Sequence, residues 1–261
     1  MEIYTTCLQK VLSGVPTTLS LTLWSVLIAL VLGILLCFGM LSKHALIKSV
    51  FSILCSFLKG VPILVFLYVF HTAIDSIMGG LDHLLSFYTY DIRKPPTYIF
   101  AVFALALSYA PYMCDMITST MHTIPTGQWE ACDAGGFTGW QKMTRIIVPQ
   151  CIVIAVPNFG NHFVNLLKAS SLSCMVTIME MMGEARNYAT MSQKFLECYI
   201  VCALCYWFIF VVFEQAFRMI EKRTGRYLQP GVPVRKKKKR VFYHKMTEWN
   251  IGGGKVNENR V

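Results

Sequence analysis

Long apolar stretches dominate the pattern of this sequence. Positions 19–40 hold 22 residues without a charge, and a bilayer core needs about 20 apolar residues for each spanning helix. Four further stretches of similar character follow at about 50–70, 98–121, 149–167 and 198–217. The pattern predicts an all-α integral membrane protein with about five transmembrane helices.

Two of these stretches contain a helix-breaking proline. Pro62 follows Lys59, Gly60 and Val61, and Pro157 lies within the fourth stretch. Backbone groups freed inside a membrane must be satisfied by protein or by water in a cavity, as in the discontinuous helices of transporters. A simple kink for packing is the alternative, and it is slightly favoured from sequence alone.

Polar side chains inside the predicted spans are the first candidates for function. An unpaired polar group in hydrocarbon costs several kcal/mol, so each of them should face protein or water. These residues are Lys59, Asp115, Asn161, His162 and Asn165. Asn158, Asn161 and Asn165 share one helix face, which is either a packing seam or a wall of a solute path.

Composition and charge agree with a membrane location. Residues of the AVILMFWYC set make up 55% of the 261 positions, charged residues make up 15%, and the mean hydropathy is +0.51. From Arg218 onward there are 13 Lys/Arg and 3 Asp/Glu, so the net charge of +10 lies in the tail at 218–261. A basic tail after a membrane helix favours a cytoplasmic position near anionic lipid over nucleic-acid binding. With five spans, the N-terminal segment 1–18 is then outside.

Cysteine and histidine do not form a recognisable metal or redox motif. Most of the ten cysteines lie in apolar stretches, where a thiol behaves as a small hydrophobic group. Cys202 and Cys205 have a metal-like or redox-like spacing, but they lie in an uncharged span. The start of the chain lacks the features of a cleaved signal peptide, so the first apolar stretch is expected in the mature protein.

The segment between the third and fourth spans has the pattern of a docking loop. It predicts a short helix at about Thr126–Ala134, a break at Gly135-Gly136 and a second helix that leads to Pro149. Glu130 is placed in the first turn, where the helix dipole favours an anion, and Lys142 and Arg145 close the second helix. The small residues Ala131 and Cys132 would let a partner surface approach closely.

This loop resembles the EAA loop of ABC importer permeases. The match consists of Glu130-Ala131-Cys132, Gly136, Ile146, Val148 and Pro149, with cysteine for the second alanine and valine for leucine. The resemblance implies that the loop at about 126–149 couples the membrane domain, 19–217, to a separate ATPase. The coupling residues that it implies are Gly127, Gln128, Glu130, Ala131, Cys132, Gly136, Ile146 and Pro149.

Further stretches resemble the polar amino acid permeases, which serve histidine, glutamine, arginine and cystine. They are Gly14–Leu19, Phe57–Val65, Ile124–Ala131 and Leu167–Leu172. The resemblance adds Lys168 and Ser170 to the candidate solute path of Lys59, Asp115, Asn161, His162 and Asn165. The chain departs from the family at Lys59, Val61, Thr118 and Ala169, where the family has arginine, threonine, arginine and aspartate. The nature of the solute is therefore open.

The resemblance implies a set of partners in a bacterial cell membrane. They are ATPase subunits, an extracytoplasmic solute-binding protein and a second permease, either identical or paralogous. The sequence contains no phosphate-binding Gly-x-x-x-x-Gly-Lys-Ser/Thr motif, so ATP use is expected on another chain and no cofactor or metal on this one. The alternatives are a permease for another small polar solute and a membrane assembly subunit without transport.

Overall fold

The computed structural model describes residues 2–84 and 97–224, with side chains for 3–73 and 97–224, and every regular element in this part is helical. The prediction of an all-α protein is confirmed. In chain order the α-helices are α1 Glu2–Ser13, α2 Val15–Met40, α3 Ala45–Gly60, α4 Ile63–Leu84, α5 Thr97–His122, α6 Thr126–Ala134, α7 Gly139–Lys142, α8 Val148–Ala169, α9 Met181–Ser192 and α10 Phe195–Thr224.

Four helical stretches of the described residues are long and apolar enough to cross a membrane. They are Ile3–Met40, Thr97–His122, Gly139–Val176 and Phe195–Thr224. The pair α3 and α4 forms a fifth if both helices belong to one span, and the two are bent by 98° at their break. The predicted count of about five spans holds in that case.

The break between α3 and α4 follows from Pro62. Proline has no N–H to donate and disfavours helical backbone at the preceding residue. Val61 accordingly has φ −84° and ψ 125°, which is extended. Pro111 and Pro157 lie inside continuous helices. The preference for a simple kink was therefore wrong at Pro62, where the helix is interrupted.

Helix α5 lies at the centre of the bundle and contacts α2, α3, α4 and α8. Its small buried residues, among them Ala104, Ala106 and Ala110, allow close approach of these neighbours. Ser25 of α2 donates a hydrogen bond of 3.2 Å to the carbonyl oxygen of Val102. The central position of α5 places Asp115, near its end, between the helices that carry the other candidate site residues.

Helix α1 packs against α9 and α10, and only Gly14 separates it from α2. The stretch Ile3–Met40 has 38 residues, about 57 Å of helix, so it extends beyond a hydrocarbon core of about 30 Å. The location of segment 1–18 on the outer side of the membrane stays a prediction. The basic stretch 225–261 lies outside the described residues.

Candidate functional site

Helix α6 has the bounds that the sequence predicts, Thr126–Ala134. It ends in a Schellman motif, in which the N–H of Phe137 donates to the carbonyl oxygen of Cys132 at 3.1 Å and that of Gly136 donates to Asp133 at 3.1 Å. Gly136 has φ +71°, a conformation that costs other residues about 1–2 kcal/mol. The glycine of the loop motif thus defines how this helix stops.

The exposed surface of α6 carries four of the eight candidate coupling residues. Gly127, Gln128, Glu130 and Ala131 are exposed, whereas Cys132 is buried and holds the helix against the protein. The helix begins at Thr126, so Glu130 lies in its second turn and the placement in the first turn was wrong. The exposed surface suits a docked partner because small side chains allow close approach.

A second short helix, α7, is joined to α6 by an ion pair between Lys142 and Asp133. Thr138 and Gln141 form a capping box, with hydrogen bonds of 3.3 Å and 3.0 Å between side chain and backbone. The sequence Thr-x-x-Gln is a known signal for this cap, so it could have been found in advance. Asp133 had no such signal.

The helix after the break does not end at Lys142 and Arg145, contrary to the prediction. It continues through a π-helical turn, Met143–Ile147, directly into α8. Pro149 cannot donate a backbone hydrogen bond to Arg145, which favours a widened turn at this point. Ile146 is half-buried and Pro149 is exposed. The coupling loop is thus continuous with the span that carries the asparagines.

Two of the candidate solute-path residues, Lys59 and Asp115, form an ion pair. The Lys59 ammonium lies 2.6 Å from Oδ2 of Asp115, and the two side chains are 33% and 54% exposed. Lys59 is in the last turn of α3, directly before the break at Pro62, where the helix dipole favours a cation. The bend between α3 and α4 therefore presents a charge pair rather than a continuous apolar surface.

One face of α8 is polar and exposed, and the opposite face is buried. Asn158, Asn161, Asn165 and Lys168 are exposed. The buried face holds Gly160, Phe163, Val164, Leu166 and Leu167. Within residues 2–84 and 97–224, none of the three asparagine side chains forms a hydrogen bond. This face needs a polar environment that the isolated chain does not supply.

His162 lies on the side of α8 that faces α5. Its ring centroid lies 6.3 Å from that of Tyr112, which is one helical turn from Asp115 on α5. Lys168 and Ser170 are arranged differently. The Lys168 ammonium lies 4.3 Å from the centroid of the Phe210 ring, and Ser170 is fully buried with its hydroxyl donating to Leu167 at 2.8 Å. The structure does not bring Ser170 to the polar face, and its role stays a prediction.

Sequence reasoning did not identify Glu180, which is fully buried. Its Oε2 accepts hydrogen bonds from Tyr206 at 2.5 Å and from Thr18 at 3.4 Å, and its Oε1 accepts one from the Gly183 N–H at 2.9 Å. Burial raises the pKa of Glu180 above its ordinary value, although these hydrogen bonds act in the opposite direction. The carboxyl group joins α2, α9 and α10.

Gly14 makes this junction possible. A Cβ at Gly14 would lie 2.6 Å from the backbone nitrogen of Met181, so only glycine permits the approach. The Met181 N–H donates to Thr18 Oγ1 at 3.1 Å. Gly14 and Thr18 lie in a stretch singled out for its resemblance to a family, but nothing local in the sequence indicates their partner at 180.

Comparison with known proteins extends over most of the chain. Residues 18–226 match the family described as "Binding-protein-dependent transport system inner membrane component". The L-cystine transport system permease protein TcyL of Bacillus subtilis (strain 168) is 32% identical over 211 residues, which cover 81% of this chain and 85% of that protein. The arginine ABC transporter permease protein ArtM of Haemophilus influenzae is 28% identical, covering 83% of this chain and 93% of that protein.

Solved structures agree with these relatives. A crystal structure of an amino acid ABC transporter with histidines has a TM-score of 0.70 and 25% identity, covering 82% of this chain and 94% of that one. The inward-facing methionine transporter MetNI has a TM-score of 0.67 at 18% identity, covering 83% and 96%, and so supports the fold alone. The expected fold of an ABC importer permease is confirmed. The chain belongs to the family of binding-protein-dependent transport system inner membrane components.

Proposed function

We propose that this chain is the membrane-spanning permease subunit of an ATP-driven importer for a polar amino acid. The observation that carries the proposal is the exposed polar face of α8 beside the Lys59–Asp115 ion pair, in a bundle that exposes many large apolar side chains. Contact of this face with hydrocarbon would cost several kcal/mol for each unpaired group. We therefore infer that this face lines a path for water and solute, and that a second permease lines the other side of the path.

The charges on this path suit an amino acid. Such a solute carries an ammonium and a carboxylate, which can exchange with the partners of an existing ion pair through charge-assisted hydrogen bonds. Asp115 would receive the ammonium and Lys59 the carboxylate, while Asn161, Asn165 and His162 supply neutral hydrogen-bonding groups. The relatives named for cystine and arginine transport support a polar solute of this class.

The coupling loop defines the other half of the function. The exposed small residues of α6 receive ATPase subunits, which hydrolyse ATP on their own chains, so this chain needs no cofactor. Because α7 continues through the π-helical turn into α8 and the Lys142–Asp133 ion pair joins α6 to α7, movement of α6 is passed on to the polar face. ATP binding and release then favour different states of the path, which is alternating access.

The proposed importer function implies two further partners. A solute-binding protein delivers the amino acid from outside, and a second permease completes the path, with a homodimer as the preferred arrangement. Segment 1–18 lies outside and the basic tail lies in the cytoplasm. Anionic lipid is the tail's expected contact.

Uptake by vesicles tests the proposal. The chain is reconstituted with its ATPase and solute-binding protein, and uptake of labelled cystine, arginine, histidine and glutamine is measured beside that of leucine. We expect ATP-dependent uptake of at least one polar amino acid and none with an ATPase variant unable to hydrolyse ATP. Uptake of leucine alone, or of no amino acid by an assembled complex that hydrolyses ATP, would contradict the proposal.

A further inference from the structure

Three sulfur atoms from three helices meet beside the ion pair of the candidate path. The Cys114 thiol of α5 lies 3.5 Å from Sδ of Met40 at the end of α2, and the Cys55 thiol of α3 lies 3.7 Å from the same atom. Both thiols are buried. We call Met40, Cys55 and Cys114 the sulfur cluster.

The spacing of the sulfur cluster suits one shared ion. Three sulfur ligands at about 2.3 Å from a metal in a planar arrangement lie roughly 4.0 Å from one another. The two measured separations from Met40 are 3.7 Å and 3.5 Å, so small rotations of the side chains would admit an ion. Ordinary apolar packing does not require the thiols of Cys55 and Cys114 both to contact the sulfur atom of Met40.

The ligand types select the ion. In the part of the chain that the structure describes, no group of three His, Cys, Asp or Glu side chains converges as a metal site. The third ligand here is a thioether, which is soft and uncharged, and the combination of thiolate and thioether favours monovalent copper over harder ions. We propose that the sulfur cluster is a binding site for Cu(I).

Binding involves no electron transfer. Cu(I) bonds to the sulfur atoms of Cys55, Cys114 and Met40, and the two thiols release their protons to water in the path. The site then carries one negative charge, since one positive ion joins two thiolates. Lys59 lies one helical turn after Cys55, and Asp115 directly follows Cys114 in the sequence. Both of these charged side chains are partly exposed, so a cation and an exposed carboxylate lie near the cluster.

Occupation of the cluster would tie α2, α3 and α5 together. Since α3 and α5 carry Lys59 and Asp115, the bound ion would hold the charge pair in place and inhibit import. This consequence for transport rests on the proposed function, whereas the binding of Cu(I) does not. The two are therefore tested separately.

The experiment measures Cu(I) affinity of the purified full-length chain under anaerobic conditions, by competition with a chromophoric chelator. We expect Met40→Leu, Cys55→Ser and Cys114→Ser each to weaken the tightest binding by about tenfold or more. Met40→Leu preserves the volume of the side chain, so it tests the ligand even if a cysteine variant does not fold. Cys151→Ser removes a thiol from α8 and should bind Cu(I) like the unsubstituted chain.

Two results would overturn the site. One is unchanged affinity in Met40→Leu together with unchanged affinity in whichever cysteine variants fold. The other is an equal loss of affinity in Cys151→Ser, which would mean that any thiol contributes. Because the measurement involves no transport, a failure of amino acid uptake does not affect it.

Discussion

The phenol of Tyr206 donates a hydrogen bond of 2.5 Å to the carboxyl group of Glu180. This contact ties α10 to the residue that caps the first turn of α9, since the same carboxyl group accepts from the Gly183 N–H. Thr18 adds α2 to the junction. The consecutive helices α9 and α10 are thus joined to α2, which is distant along the chain, through one buried side chain.

Removal of the Tyr206 hydroxyl tests this junction. Tyr206→Phe leaves a buried carboxyl oxygen with one donor fewer, and we expect the free energy of unfolding to fall by about 1–3 kcal/mol. Thermal unfolding of the purified protein in detergent gives the measurement. Tyr199→Phe, on the exposed surface of the same helix, is the matched control and should change little. Equal effects of the two substitutions would mean that the hydrogen bond does not matter.

The pH dependence of stability reports on the same group. Because burial raises the pKa of Glu180 above its ordinary value of about 4.5, the folded chain binds this proton more tightly than the unfolded chain. The resulting stabilisation is fully present below about 4.5 and is lost as the pH rises through the raised pKa. Relative to Glu180→Gln, the Tm of the unsubstituted protein should fall with rising pH in this window. A Tm of the unsubstituted protein that rises with pH relative to the Tm of Glu180→Gln would contradict the assignment.

The Lys59–Asp115 pair should matter more for transport than for stability. Both side chains are partly exposed, and such pairs contribute about 0–1 kcal/mol to folding. We expect Lys59→Met and Asp115→Asn to lower uptake strongly with little change in Tm. The double charge reversal, Lys59→Asp with Asp115→Lys, restores a pair but exchanges the two positions. Recovered uptake in that variant would show that the pair is only structural.

The asparagines of α8 should contribute to solute binding. Asn161→Ala and Asn165→Ala each remove a hydrogen-bonding group, at a cost of about 1–3 kcal/mol, so the apparent KM of uptake should rise by about tenfold. Assembly with the ATPase should be unchanged. Asn187→Ala removes an exposed asparagine from α9, outside the proposed path, and serves as the control. If the α8 variants keep the original uptake kinetics, these residues only pack against another chain.

The stop signal of α6 should be needed for coupling. Gly136→Ala places a side chain at φ +71°, which costs about 1–2 kcal/mol and favours other endings of the helix. We expect uptake and solute-stimulated ATP hydrolysis to fall several-fold while the protein still inserts in the membrane. Gly139 has open space around its Cα and an ordinary φ, so Gly139→Ala should retain activity. Equal activity of the two variants would show that the C-terminal cap of α6 is not needed for coupling.

Local signals explain what could be predicted from the sequence. Helix α6 follows Pro125 and ends before Gly135 and Gly136, so its bounds depend on neighbouring residues alone. The uncharged stretch of α2 likewise identifies a span by itself. Lys59 and Asp115 could each be identified as candidates from the sequence, because a charged residue within an apolar stretch stands out even when its partner is unknown.

Contacts between distant residues explain what was missed. Thr18 and Glu180 are 162 positions apart, and Glu180 and Tyr206 are 26 apart. Glu180 has the appearance of an ordinary acidic residue in a loop until α10 covers it. The widened turn at Met143–Ile147 was also missed, since it depends on how α7 and α8 join across Pro149.

The contrast between α2 and α8 has a consequence for biogenesis. Helix α2 contains 26 residues without a charge and can enter the lipid as it leaves the insertion machinery. Helix α8 carries three asparagines and a histidine, and its apolar face packs on α5 and α10. Since α10 is synthesised last of the described helices, α8 cannot be fully covered until translation has passed residue 224. Chains truncated before α10 should therefore be recognised by membrane quality-control proteases even though their first span is securely inserted.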